Sequence, residues 1–496
     1  MVKRAGGALL LSIQMDRASP VPIGTQLYTS LRELMLSGAI ATGFRLPATR
    51  TLAKELSVSR TTVVDAFERL TAEGLIVSRV GSGTFVSNVL DVERPRLTLP
   101  ASKNDLSLAK PKLSSAMDNA ISKFSSRARL PYQSGAFVTA LPAYDAFPMA
   151  QWSRIANGLW RGARADVLGY GEPFGLTRLR EAIAKHLRGN RGISCEARQI
   201  FIVGGAQQAF YLIGSALLNP GDRVWFENPG AIGARNSLIA CGADLIPVPV
   251  DRDGFVVEEA ERLSPSFRLA FVTPSHQQPL SYIMSLERRF DLLRAAQQAE
   301  AWIIEDDYDG EFFFGRQPVP TLKSIDQTGL VIYVGTFSKS LFPALRLGFM
   351  LVPTALVDAF ERITASFIQG VPTSIQATVA EFIEGGHFAT HIRRMRNIYA
   401  ERHETLVEQA GRHLQGLLDV VPTGSGLHTI GLLPSKISER TACISATEQG
   451  VIVSPINRFS IAPTPFNGLV LGFGAANVRE IRDGVAKLVP ILEALA

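Results

Sequence analysis

The chain has 496 residues, a net charge of +6, and 46% hydrophobic against 19% charged residues. That composition predicts a globular protein of roughly two to four domains, and no apolar run approaches the roughly 20 residues a membrane helix requires. Cys195, Cys241 and Cys443 are odd in number and far apart, and the seven histidines lack metal-ligand spacing, which argues against a disulfide frame or a metal site and for a reducing cytoplasm.

Charge is unevenly placed. Residues 1–88 carry ten Lys and Arg against six Asp and Glu, residues 89–130 eight against four, and residues 131–496 33 against 35. A basic head on a near-neutral body predicts a polyanion partner for the head. The start, Met1-Val2-Lys3-Arg4 with Ala8 to Ile13, imitates a signal peptide but has no small-residue cleavage site, so it reads as a short strand or arm.

From Pro22 the pattern is helix, helix, helix, hairpin. Residues 23–36 hold apolar side chains at 27, 31, 34 and 35, one face of a helix that ends before Gly38. Thr49 can cap a short helix carrying Leu52, Ala53 and Leu56. A turn centred on Ser57 and Val58 leads to Ser59, an N-cap for a helix burying Val63, Val64, Phe67 and Leu70. Leu75 to Val77 and Thr84 to Val86 then flank a glycine-containing hairpin. Two short helices across a tight turn, followed by a hairpin, predict a winged helix-turn-helix. In that arrangement Arg60, Thr61 and Thr62 meet base edges or phosphates, Arg50 suits phosphate, and Gly83 with Gly81 lets the wing tip approach a backbone closely. Leu46-Pro47-Ala48-Thr49-Arg50-Thr51-Leu52-Ala53, Val58-Ser59-Arg60-Thr61-Thr62-Val63, Glu73-Gly74-Leu75-Ile76 and Gly81-Ser82-Gly83-Thr84-Phe85-Val86 resemble the GntR winged-helix family. The resemblance implies operator DNA as partner and binding as a dimer. Residues 1–88 are therefore expected to form the DNA-binding domain.

Residues 89–130 lack sustained periodicity, are rich in Pro, Ser, Lys and Arg, and read as a basic, flexible linker. From 131 onward strands alternate with helices. The runs 199–203, 223–226, 269–272, 302–304 and 330–334 are short and continuously apolar, as strands buried on both faces of a mostly parallel sheet must be. This predicts an α/β main domain over 131–496, helices on both faces, with ligands gathered at the strands' carboxyl ends. Polar residues appear there: Gly204 to Gln207, Glu227-Asn228-Pro229, Thr273 to His276, Glu305 to Tyr308, and Thr336 to Lys339.

Alternation along a continuing strand puts Asp306 and Tyr308 on one face, Glu305 and Asp307 on the other. Three adjacent carboxylates require cations nearby. The acid and phenol suit a pyridinium ring, the carboxylate keeping the ring nitrogen protonated and the phenol bonding the 3-oxygen; taken alone they suit Mg²⁺ equally. Lys339, delivered by an apolar strand to a Ser/Thr-lined turn, is placed for Schiff-base chemistry. Gly204-Gly205-Ala206-Gln207 before a helix forms a phosphate cradle that Arg346 could grip bidentately. Together these residues specify pyridoxal 5'-phosphate (PLP), and the absence of GxGxxG and GxxxxGK[ST] disfavours a nucleotide.

The same stretches, with Gly169-Tyr170-Gly171-Glu172-Pro173 and Glu227-Asn228-Pro229-Gly230, resemble fold-type I aminotransferases of the MocR group, in which such a domain follows a GntR winged helix. The resemblance implies that Lys339 forms the Schiff base, Asp306 pairs the ring nitrogen, Tyr308 the 3-oxygen, and Arg346, Ala206 and Gln207 the phosphate. It places Gln277 near the 3-oxygen, Thr336 at the lysine turn, and Tyr170 at a partner subunit's phosphate in a homodimer. Three positions depart from the pattern: Ala231 replaces an aromatic, Leu280-Ser281 a Thr-Gly pair, and Val470 an arginine that holds substrate carboxylate. Arg235 and Arg458 remain as candidates for an effector's acid group. The expected function is a cytoplasmic, PLP-dependent regulator that senses an amine or amino-acid-like effector through Lys339. The alternatives are a working aminotransferase with an autoregulatory head and a sensor of PLP itself.

Overall fold

The computed structural model describes residues 13, 15–79, 81–87, 112–125, 135–161, 165–314, 319–368 and 370–496; the expected N-terminal arm and most of the linker lie outside them. The chain divides after Pro111 into two compact units.

In the first unit α1 (Ile23–Leu36), α2 (Thr49–Glu55) and α3 (Arg60–Ala72) precede a hairpin of β1 (Ile76–Arg79) and β2 (Gly83–Val86). Leu27, Leu31, Met35, Leu52, Val63, Phe67 and Leu70 share one core. Val64, expected inside, is only half-buried. The buried face of α3 runs Val63, Ala66, Phe67, Leu70, a strict i, i+3, i+4, i+7 stripe that turns residue 64 outward. Ser57 takes a left-handed conformation (φ +51°) in the turn between α2 and α3, and Ser59 caps α3 by accepting from the Thr62 N–H at 3.0 Å. The hairpin pairs Ile76 with Val86 and Arg79 with Gly83, and Arg45 adds a bridge to Phe85. This is the expected winged helix-turn-helix.

The second unit starts inside the stretch expected to be linker. Residues 115–123 form α4 (Ser115–Lys123), capped by Ser114 accepting from the Met117 N–H. The linker expectation therefore needs correction over 112–125, where local capping and docking order the chain. Asn236 exchanges two hydrogen bonds with the Ser125 backbone, at 3.1 and 2.9 Å.

An eight-stranded sheet follows in the order β3-β10-β9-β8-β7-β4-β5-β6. The strands are β3 (Ile200–Val203), β4 (Arg223–Asn228), β5 (Asp244–Asp251), β6 (Gly254–Phe255), β7 (Leu269–Val272), β8 (Trp302–Asp307), β9 (Val331–Thr336) and β10 (Gly348–Leu351). The run β5-β4-β7-β8-β9 is parallel, and β10 is antiparallel to both its neighbours, so β3 points the same way as β9. Side chains alternate between two cores: Val224, Phe226, Leu269, Phe271, Ile304 and Ile332 fall in one, Trp225, Ala270, Val272, Ile303 and Val331 in the other. That alternation within continuously apolar runs is why the strands must be covered on both faces. A smaller antiparallel sheet closes the unit, β11 (Asp419–Val420), β12 (His428–Leu432), β14 (Gly468–Gly472) and β13 (Ser454–Pro455) in spatial order. Among the described residues no helix is long and apolar enough to cross a membrane.

Candidate functional site

On the winged helix, Arg50, Arg60 and Thr61 are exposed and Thr62 is half-buried. Ser59 Oγ lies 3.1 Å from the Thr61 hydroxyl and 2.8 Å from that of Thr62, so both threonines share the cap that fixes the start of α3. Gly83 has φ +112°, and a Cβ there would sit 2.8 Å from Arg45 Nε; only glycine lets Arg45 fold against the wing.

In the second unit the carboxyl ends of β3, β4, β7, β8 and β9 share one rim. There β8 brings the three adjacent acids, and the two on one face, Glu305 and Asp307, have cations and donors. Glu305 accepts from the Leu322 and Lys323 N–H groups at 2.9 and 2.8 Å, with Arg289 at 3.9 Å. Asp307 pairs with Arg191 and accepts from Tyr333 Oη at 2.5 Å. Asp306 faces the other way, as alternation requires. Its Oδ1 is buried and, among the described residues, has no hydrogen-bond partner. Burial, and then Asp307, Asp309 and Glu227, push its carboxyl well above the usual range, while Lys339 draws it down. An uncompensated buried carboxylate is costly, so this pocket favours a cation against Oδ1. A protonated pyridine nitrogen is such a group.

Tyr308 is half-buried, yet desolvation pushes its phenol well above the ordinary value, so it stays protonated. His276 Nδ1 lies 3.0 Å from both Tyr308 Oη and Asp309 Oδ2. An ionised Asp309 only accepts, so Nδ1 carries the proton and Tyr308 keeps its own O–H for another acceptor. Lys339 lies on a one-turn helix, Phe337–Ser340, that extends β9. Its Nζ donates to the Ala140 carbonyl at 2.7 Å. Thr336 caps that turn by accepting from the Ser338 N–H at 3.1 Å, so its hydroxyl positions the lysine. From the C-terminal side, His391, held neutral by burial at about 4, bonds the Ser340 carbonyl at 3.0 Å.

The phosphate side is equally built. Gly205, with φ +108°, caps α5 (Ala206–Leu217), whose first-turn N–H groups point out of the helix end. Arg346, in a left-handed conformation, lies over it; a Cβ on Gly205 would be 3.4 Å from Arg346 Nη2. Asp306, Tyr308, Lys339, Ala206, Gln207 and Arg346 thus lie on one rim in an arrangement that fits PLP.

Other expected residues stand elsewhere. Gln277 is not open to a 3-oxygen: its amide N–H groups meet Glu227, Pro229 O and Gln278 O, and its oxygen accepts from the Leu280 N–H. Burying this amide under the site forced it to satisfy itself on neighbouring backbone. Tyr170 is 99% exposed. Arg235 is buried and donates to Ser460 O at 2.9 Å. Neither it nor Arg458 lines the cavity at Lys339, whose walls include Ala140, Tyr308, Asp309, His428, Phe459 and Val470. His276, Asp309 and His428 also gather their ligand atoms within 4.8 Å of one another, a grouping that sequence spacing hid.

Residues 23–86 match the family described as bacterial regulatory proteins, gntR family, and residues 143–468 match aminotransferase class I and II. The chain is 39% identical over 474 residues to "Probable rhizopine catabolism regulatory protein MocR" of Rhizobium meliloti, covering 96% of this chain and 94% of that protein. It is 34% identical over 485 residues to the HTH-type transcriptional regulator YhdI of Bacillus subtilis, covering 96% of each. A crystal structure of Pyrococcus horikoshii kynurenine aminotransferase in complex with PMP superposes with a TM-score of 0.68 at 26% identity, covering 79% of this chain and 97% of that one. The chain therefore belongs to the GntR family of bacterial regulators, in its MocR-type branch, where a winged helix is joined to a fold-type I aminotransferase-like domain.

Proposed function

We propose that this regulator holds PLP on Lys339 and changes its hold on operator DNA when an amine-bearing effector competes for that anchorage. The observation that carries the reading is the buried, unpartnered Asp306 Oδ1 within the field of Lys339. Bound PLP supplies an aldehyde carbon that accepts amines and a ring that takes up electrons. The chain supplies the rest. Asp306 compensates a ring-nitrogen proton, the Tyr308 O–H bonds the 3-oxygen, and Arg346 with the first turn of α5 holds the phosphate. Exposed Tyr170 reaches the partner subunit in a homodimer. Arg50, Arg60, Thr61, Thr62 and the wing at Gly83 face the operator.

A regulatory output is supported by where the connecting chain lands. α4 is clamped by Asn236 to α6 (Ile232–Ala240), which begins beside Gly230, and Gly230 donates to Phe459 O of the Lys339 cavity at 3.0 Å. After the linker, Ala140 accepts the hydrogen bond from Lys339 itself. Two segments on the second unit's side of the linker, α4 and the stretch at Ala140, therefore connect to the groups an effector would disturb. The test combines the visible band of the Lys339-bound cofactor with footprinting of DNA upstream of the protein's own gene. Amines that shift the band should alter protection, and Lys339→Ala should abolish the response. Absence of protection with and without PLP would remove the operator reading, and multiple-turnover keto-acid production would favour the aminotransferase reading instead.

A further inference from the structure

The cavity at Lys339 is asymmetric in its chemistry. One side is apolar: Val470 of β14, Phe459 and Leu427 line it, and Val470 and Phe459 belong to a buried cluster with Ile430, Leu280 and Ile456. The other side presents hydrogen-bond acceptors. Asp309 and His428 line the cavity, and each has a buried polar atom without a partner among the described residues, Asp309 Oδ1 and His428 Nε2. Burial holds His428 well below the usual histidine range, and its other ring nitrogen bonds the Pro279 backbone. The ring is then neutral with its proton on Nδ1, so Nε2 is an acceptor. His276, whose ring lies 4.6 Å from that of His428, adds a third buried atom without a partner, Nε2. Among the described residues lining this cavity, Lys339 is the sole cation, and Lys339 is committed to the cofactor in the reading above.

A carboxylate entering here would meet Asp309 and a neutral imidazole on one side and hydrocarbon on the other. It would lose its hydration with no cation to replace it, only the neutral donors of Thr139, Gln278 and Tyr308, and a buried anion without a paired cation is disfavoured. A hydroxyl or second ammonium would instead satisfy Asp309 Oδ1 and His428 Nε2, atoms otherwise left buried and unbonded. Resting on the amine-sensing reading, we infer that the effector is a carboxylate-free amine, an amino alcohol or amino polyol whose hydroxyl groups bond Asp309 and His428.

The test uses the full-length, PLP-loaded protein and matched probes: ethanolamine and 2-amino-1,3-propanediol against serine, and 2-aminocyclohexanol against 1-aminocyclohexanecarboxylic acid. The amino alcohols should shift the visible band and alter operator protection at concentrations at least tenfold below their carboxylated counterparts. Val470→Arg, which sets a guanidinium into the apolar wall, should reverse that order; should it fail to fold, Val470→Gln should narrow the gap without reversing it. Equal or better response to the carboxylated probes overturns the inference and leaves amine sensing intact. No spectral response to any amine overturns amine sensing and the inference with it. Stoichiometric divalent metal in the purified protein would also overturn it, because His276, Asp309 and His428 would then be ligands.

Discussion

Buried titratable groups beneath the site make a quantitative prediction. His403 is packed between Phe314 and Phe473, and its Nε2 accepts from the Thr423 N–H at 3.1 Å. Burial brings it down to about 4 from 6.5, and His391 likewise. Between those values the folded state binds fewer protons than the unfolded chain. The stability these histidines contribute is present at neutral pH and is lost as pH falls through that window, about 2 kcal/mol each between pH 7 and 5. Glu227 and Glu305, pushed up by burial to about 7 from 4.5, act in the opposite sense. The folded state binds more protons there, so acidification over the same range stabilises by about 2 kcal/mol each. The four nearly cancel. His403→Gln, whose amide oxygen can still accept from Thr423, removes one histidine and unbalances the set. In urea titrations at pH 7 and pH 5, the variant should gain about 2 kcal/mol on wild type in moving to the lower pH. Parallel pH profiles for the two proteins would refute the claim that His403 is held neutral by burial.

Arg191→Met leaves Asp307 buried and uncompensated, and should lower stability by about 3–5 kcal/mol in urea unfolding; Arg191→Met with Asp307→Asn should recover most of that loss, and no recovery would show that the pair is not the cause. Asn236→Ala removes both hydrogen bonds to Ser125, and hydrogen exchange over residues 115–123 should quicken about tenfold or more. Lys339→Ala removes the donor to Ala140, so exchange over residues 135–141 should rise without effector and respond no further when an amine is added.

Much of the candidate site is legible in the sequence as an expectation. Asp306 and Tyr308 follow from period-two alternation at the end of an apolar run, and Arg346 and Gly205 from strand-to-turn chemistry. The cations demanded by three adjacent acids were foreseen as a class but not by identity. Arg191 lies 116 residues before Asp307, and no local pattern links them. β5 gives no strand signal in the sequence because Pro247 and Pro249 interrupt it; one position in from the sheet edge, beside two-residue β6, it tolerates the lost donors. β10 is equally silent in the sequence, because four residues opening on a glycine carry little periodic signal. For Gln277 the motif gives a position but says nothing of which neighbours satisfy a buried amide, here Glu227, Pro229, Gln278 and Leu280.

The energetic scale of the Lys339 contact is adequate for the role proposed. A hydrogen bond from a charged donor contributes about 1.5–3 kcal/mol, and a charged Lys339 makes one to Ala140 O at 2.7 Å. Ala140 is a non-glycine residue in a left-handed conformation, φ +66°, a strained geometry that persists only where its surroundings hold it. Phe137, three residues earlier, is pinned to β14 through the Gly472 N–H at 3.1 Å. The segment leaving the linker is therefore fixed at one point by β14 and at another by the lysine. Couplings between allosteric sites are typically 1–3 kcal/mol, so loss of this one contact, if differential between two states, suffices to shift their ratio by roughly tenfold to a hundredfold. In the proposed reading, the lysine that would anchor the cofactor is the same one that, when not bonded to it, restrains the chain emerging from the linker, so an amine that releases it would alter both.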